Sequence, residues 1–423
     1  MAEKKRDSDG SIAISIARQP VFNTKKDLWG YELVCVCNST DIGETISIED
    51  NVAVNVASSN YTGIQQVVER GKKIIVNFNE KNVLDDSPYA LPPKLAVIRV
   101  PEKMLVNSEV VDSLLRFKKD GYHIAIAGFT GASGYEKLFS ETELLCVDSS
   151  EIKKDELKEL VQKGNEYDAM ILAENIKNGD RFDMCLETGC SLFHGPFFKI
   201  PEKLSVRKIS SNEISRFNLL KIIEQEDPDY NELAKLIQSD VSISFRLLSY
   251  LNSAAFGFTQ KIQSIHKAIT LLGWKQMKTW LRVVILSDMN QSPNAPELMF
   301  VSAQRGKFLE TITREHDFWG FDPDSLFLLG TFSLLDTMLG MEMKEVVKYL
   351  PLDDKLKAAL CHDPNNEYLP LLQLAMRMEE SGWDEANAMI RNLSLDPVKI
   401  RKAFQDSIDW ANEITMVHGK TKE

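Results

Sequence analysis

Two successive folding units, an α/β half and then an all-α half, are what this sequence predicts. Three observations carry that expectation. The chain has 423 residues, about two to three times the length of a typical single domain. Up to about residue 200, short β-rich runs alternate with helical stretches, and beyond Pro201 those runs vanish and helical periodicity takes over. A hydrophobic fraction of 43% with 26% charged residues is that of a globular chain, which excludes general disorder and a fibrous build.

Residues 1–10 are polar and aperiodic and read as a flexible tail. From Ser11 onward the β-rich runs are Ile12 to Ala17, Tyr31 to Val36, Lys73 to Phe78, Leu95 to Val100, His123 to Ala127, Leu144 to Val147, Ala169 to Ala173 and Ser191 to Phe193. Between the fourth and fifth, Glu102 to Lys119 carries Met104, Leu105, Val110, Val111, Leu114, Leu115 and Phe117 on a helical period, and Asp120-Gly121 closes it. Strand, helix, strand repeats belong to a β/α barrel or to an open α/β sheet. Eight runs is a suggestive count.

The second half reads as consecutive helices packed in a bundle. Ser264 is placed to cap a helix through Leu272, Gly273 ends it, and Trp274 to Asp288 begins another with Met277, Trp280, Leu281 and Ile285 at helical spacing. Two prolines within Asn290 to Pro296 mark a loop inside the bundle. The domain layout expected is a tail at 1–10, a barrel at 11–203, a helical domain at 204–415 and a tail at 416–423.

Composition narrows the function. No run approaches the roughly 18 apolar residues of a membrane span, and the charged start from Met1 to Asp7 has no apolar signal core, so the expected location is cytoplasmic. A formal charge of −12, from 62 acidic and 50 basic residues, sets up no field toward nucleic acid or anionic lipid and favours protein or small-molecule partners. The six cysteines, Cys35, Cys37, Cys146, Cys185, Cys190 and Cys361, read as reduced thiols rather than a disulfide framework. Cys35 and Cys37 alternate on one face and could with Cys146 grip a soft metal, but core packing is the better reading.

The segment Ile16-Ala17-Arg18-Gln19-Pro20-Val21-Phe22, followed by Trp29-Gly30-Tyr31-Glu32-Leu33, resembles the opening of EAL-domain proteins that also carry an HDOD domain. The resemblance implies a TIM-like β/α barrel. It also implies an ancestry among enzymes that hydrolyse cyclic di-GMP with two divalent cations held by carboxylates. Residue by residue, the signature glutamate falls on Glu32, the phosphate-holding arginine on Val36, the asparagine ligand on Asn77, and the next metal-binding glutamate on Arg99. The paired aspartates fall on Ala127 and Gly128, the lysine on Cys146, a later glutamate on Glu174, and the glutamine of the last motif on His194. Loss of both bridging carboxylates, with a cation at 99, implies a barrel without phosphodiesterase activity. Glu32 and Glu174 are then expected as hydrogen-bonded remnants pairing with Arg99.

Asp240 to Gly257 resembles the core signature of HDOD domains, and the likeness runs on through Ile262 to Trp280, Leu328 to Asp336, Leu350-Pro351-Leu352 and Ile408 to Asn412. HDOD domains are related to metal-dependent HD phosphohydrolases but usually lack the ligands. Leu335 and Asp336 fall on the HD positions here. His316-Asp317, His362-Asp363 and His266 stand elsewhere, at a helix end or in a loop, and are not read as metal ligands. Asn252, Ser253, Phe256 and Gly257 form the most distinctive polar and aromatic cluster, read as a helix-capping turn.

The resemblance therefore implies a bacterial signalling adaptor without metal or cofactor, working through protein partners, with a homodimer among the allowed assemblies. A receptor that binds a cyclic dinucleotide without cleaving it is the alternative, and a residual or rearranged hydrolase the third reading.

Overall fold

The computed structural model describes residues 14–37, 71–200, 210–225, 230–239, 241–251, 264–289, 293–316, 320–380 and 382–416. Two compact units emerge, the first ending at Pro196 and the second beginning at Phe197, with Asp396–Gln405 grouped with the first. The boundary expected at 203/204 lies outside the described residues.

In the first unit eight strands close into a barrel in sequence order. They are β1 (Ile14–Asn23), β2 (Leu28–Cys37), β3 (Lys73–Asn77), β4 (Ala96–Pro101), β5 (His123–Ala127), β6 (Leu144–Asp148), β7 (Met170–Glu174) and β8 (Leu192–His194). β1 runs antiparallel to both its neighbours, β2 and β8, and the other pairings are parallel. Parallel strands covered on both faces are apolar along their whole length rather than alternating, which is why β4 to β6 stood out in the sequence. Each of the eight expected runs became a strand, although β1 continues past Ala17 to Asn23 with a register shift at Val21/Phe22.

Side chains of a strand alternate between faces, so every second residue points into the barrel. The packed interior is Val21, Ile75, Val97, Ala125, Leu144, Cys146, Leu172 and Leu192, with Trp29 against it. Moving two residues toward the strand C-termini keeps the same inward face. From Ile75, Val97, Ala125, Leu172 and Leu192 that step reaches Asn77, Arg99, Ala127, Glu174 and His194.

Two expectations need correction. Glu102 to Lys119 is not one helix: a 3-10 turn covers Glu102–Val106, and the α-helix begins at Ser108. Asn107 causes the break, because its extended backbone and its side chain, which accepts the Glu109 N–H at 2.9 Å, form an N-cap within the apolar pattern. Pro296 does not lie in a loop but in the first turn of the Ala295–Glu315 helix, where a missing N–H costs nothing.

The second unit is helical. Ser264 accepts the Lys267 N–H at 3.4 Å, and Gly273, at φ 73, interrupts the helical stretch Ile265–Met289 where the sequence placed the stop. Trp280, Leu281 and Ile285 are buried. The Ala295–Glu315 and Pro323–Phe332 helices touch through glycine: a Cβ on Gly330 would sit 2.5 Å from the backbone of Arg305 and Gly306. Backbone cannot yield as a side-chain tip can. Gly330→Ala is therefore expected to cost about 1–3 kcal/mol, read as a lower urea midpoint with an unchanged slope.

Candidate functional site

The C-terminal end of the barrel gathers the expected residues. Arg99, on β4, reaches across the opening: its Nη1 donates to Glu32 Oε1 at 2.9 Å and to Asn77 Oδ1 at 2.6 Å, and its Nη2 to Glu174 Oε1 at 2.6 Å. Asn77 Nδ2 in turn donates to Glu32 Oε1 at 2.7 Å. His194 Nε2 stands 3.7 Å from Glu32 Oε2, without a hydrogen-bond partner although buried. Glu32 and Glu174 are each 7% exposed and His194 8%, so the cluster meets water only at its rim. Four strands from different parts of the sequence thus place two carboxylates and an amide around one guanidinium.

Backbone bonds fix the strand ends. The Ser149 N–H and hydroxyl both donate to the Glu174 carbonyl, at 2.9 and 2.6 Å. The Ile176 N–H donates to the His194 carbonyl and the Phe78 N–H to that of Arg99. After β5, Thr130 donates its N–H and hydroxyl to Glu102 Oε2, at 3.1 and 2.7 Å, holding the Ala127-Gly128-Phe129-Thr130 turn. Sequence reading missed Glu102 and Ser149, because a clamp on loop backbone has no periodic or motif signal.

Charge sharing within the cluster is uneven. Burial pushes the Glu32 carboxyl up, but Arg99, His194 and the Asn77 amide together hold it below its ordinary 4.5. Burial dominates at Glu174, where Arg99 works against it and the Glu32 charge adds to it, so that carboxyl stands above 4.5. Glu174 carries the repulsion of the Glu32 charge, whereas Glu32 has the Asn77 amide as an added donor. Burial disfavours the charged guanidinium, yet the two carboxylates raise its pKa and keep it charged. Burial and the Glu174 charge push the Cys146 thiol well up, leaving it neutral.

Among the described residues, the only convergence of three acidic, histidine or cysteine side chains close enough to share a metal is Glu32, Glu174 and His194. They do not fit one. Arg99 already occupies Oε1 of both carboxylates, and a divalent ion about 4 Å from its guanidinium meets a repulsion of about 8 kcal/mol at an effective dielectric of about 20. Three protein ligands are also fewer than a hard two-metal centre needs. Val36 lies on β2 opposite Ser15; its side chain, with those of Cys35 and Cys37, lies outside the described residues.

In the helical unit Arg305 repeats the theme. Its Nε donates to Glu379 Oε2 at 2.9 Å and its Nη1 to Ser333 Oγ at 3.0 Å, while Lys199 Nζ reaches Glu379 Oε1 at 2.8 Å. Asp336 accepts the Thr337 N–H at 2.7 Å, and burial raises its carboxyl. His362 occupies a left-handed turn position after a helix, and His316 caps a helix end with Nδ1 3.1 Å from the Ile312 carbonyl. Asp317, the side chain of His266, and the cluster Asn252, Ser253, Phe256 and Gly257 lie outside the described residues.

Residues 214–317 match the HDOD domain. Ahead of it in the sequence stands the closed eight-stranded barrel. The chain is similar to YuxH, an uncharacterized protein of Bacillus subtilis, with 28% identity across 95% of this chain and 99% of that one. It is also similar to the cyclic di-GMP phosphodiesterase CdgJ of Vibrio cholerae, with 24% identity across 94% of this chain and 92% of that one. Among solved structures, the EAL domain of Mycobacterium smegmatis DcpA aligns with a TM-score of 0.36 and 13% identity, covering 43% of this chain and 90% of that one. No helix among the described residues is long and apolar enough to cross a membrane.

The opposite shifts of the two glutamates have a measurable sign. The Glu32 contribution to stability is present above 4.5 and is lost as pH falls through its lowered folded value. The Glu174 contribution is present below 4.5 and is lost as pH rises through its raised one. In urea unfolding at about pH 7 and about pH 4, the stability margin of wild type over Glu32→Gln is expected to shrink on acidification, and the margin over Glu174→Gln to grow.

Proposed function

We propose that the chain is a non-enzymatic signal-transduction adaptor in a cyclic di-GMP-related bacterial pathway, acting through protein–protein contacts. The observation that supports this most is the Arg99 guanidinium bonded to Glu32, Asn77 and Glu174 at once. The EAL pattern sets five carboxylates and one lysine around two divalent cations. At the matching positions this chain has two carboxylates, Glu32 and Glu174, and one arginine, with Ala127, Gly128 and Cys146 uncharged. The negative charge that would hold the metals is gone, and most of what remains is paired internally. Without metal there is neither a hydroxide source nor a counter-charge for phosphate.

A second reading, a receptor that binds a cyclic dinucleotide without cleaving it, is favoured by the His194 Nε2 that is buried at the rim without a hydrogen bond. Val36 in place of the phosphate-holding arginine weakens that reading. Calorimetric titration of cyclic di-GMP into the full chain with magnesium or manganese, followed by chromatography of the same sample, separates the readings. No linear dinucleotide and little or no heat is expected. Heat without product would make the barrel a receptor. Metal-dependent product that disappears in Glu174→Gln would overturn the proposal.

A further inference from the structure

The last turn of the Gly179–Thr188 helix carries two thiols that the barrel mouth does not use. Gly189, at φ 99, ends the helix in the left-handed conformation. Its N–H donates to the Leu186 carbonyl at 3.1 Å, and the Cys190 N–H to the Cys185 carbonyl at 3.1 Å. These two bonds form a Schellman closure, in which the side chains at the first and sixth positions fold onto one another. An apolar pair commonly fills those positions; here they are Cys185 and Cys190, both free thiols and both buried.

The six-to-one backbone bond keeps the two residues within the separation that a disulfide spans. Each thiol also feels the other electrostatically. The neighbouring Cys190, with Ser149 and Arg181, holds the Cys185 thiol below its ordinary 9.0 against burial, while Cys185 and burial push Cys190 up. That difference makes Cys185 the nucleophile and Cys190 the resolving thiol. Leu186, Glu187 and Gly189 beside them are exposed, and a terminal helical turn opens locally at low cost.

We propose that Cys185 and Cys190 form a redox-sensitive modification site, oxidised by hydrogen peroxide to an intrachain disulfide. The Cys185 thiolate attacks one peroxide oxygen and the O–O bond breaks, giving a sulfenic acid and, after protonation, water. Cys190 sulfur then attacks Cys185 sulfur, the S–O bond breaks, and a second water leaves. Two thiols lose two electrons and two protons, and one peroxide is reduced to two waters. Ser149, which also holds the Glu174 carbonyl, interacts with Cys185, so oxidation acts next to the end of β7.

The test uses the full chain. After graded hydrogen peroxide, free thiols are blocked with N-ethylmaleimide and peptides are read by mass spectrometry with and without dithiothreitol. The expected result is a peptide holding both cysteines that has lost two hydrogens, takes no label, and recovers both labels on reduction. In Cys190→Ser, Cys185 is expected to be trapped as a dimedone adduct. If both thiols of the wild-type chain stay fully labelled at doses that oxidise the partly exposed Cys361, the proposal fails; that readout needs no variant to fold.

Discussion

Two carboxylates buried a few ångströms apart repel each other and lose their hydration, and a barrel can keep them there only with a counter-charge between them. Arg99 supplies it. Its planar fork donates to Glu32 and Asn77 from one nitrogen and to Glu174 from the other, a geometry a lysine could not reproduce. Removing one partner of such a buried group costs about 3–5 kcal/mol, because the survivors are left charged and unpaired. The positions of Asn77, Glu174 and Glu32 therefore depend on one side chain.

The barrel explains how residues so distant in sequence meet. Strand alternation sets a packed apolar layer through Ile75, Val97, Ala125, Leu172 and Leu192, and the next inward layer is the polar mouth. One arrangement of backbone thus serves either a metal centre or a salt-bridged plug, and only the side chains decide which. The helical unit solves a similar problem by similar means: Arg305 and Lys199 converge on the buried Glu379, lowering that carboxyl although burial works the other way.

Much of this was legible in the sequence, for identifiable reasons. Parallel strands covered on both faces leave unbroken apolar runs, so β3 to β7 were visible for that reason, and Gly273 announced its helix break. The motif positions carried Glu32, Asn77, Arg99 and Glu174 into one site before any geometry was known. Local capping was harder to see: Asn107 divided what the apolar period joined, and Pro296 entered a helix whose first turn tolerates it. Glu102, Ser149 and the Arg305–Glu379 pair left no trace in pattern or motif, because each depends on partners fixed only by the tertiary fold. The uneven sharing of charge between Glu32 and Glu174 has the same origin, since it depends on the Glu32 charge beside Glu174 and on the Asn77 amide beside Glu32.

The proposed lack of activity rests on Arg99 holding the two carboxylates that a metal would need. Titration of the full chain with manganese, followed by electron paramagnetic resonance of the free ion, tests this most directly. The expected result is that the manganese signal rises from the first addition, with no stoichiometric binding at the barrel. Tight, stoichiometric uptake that is lost in Glu174→Gln would contradict it, because an ion and the guanidinium cannot hold the same two carboxylates.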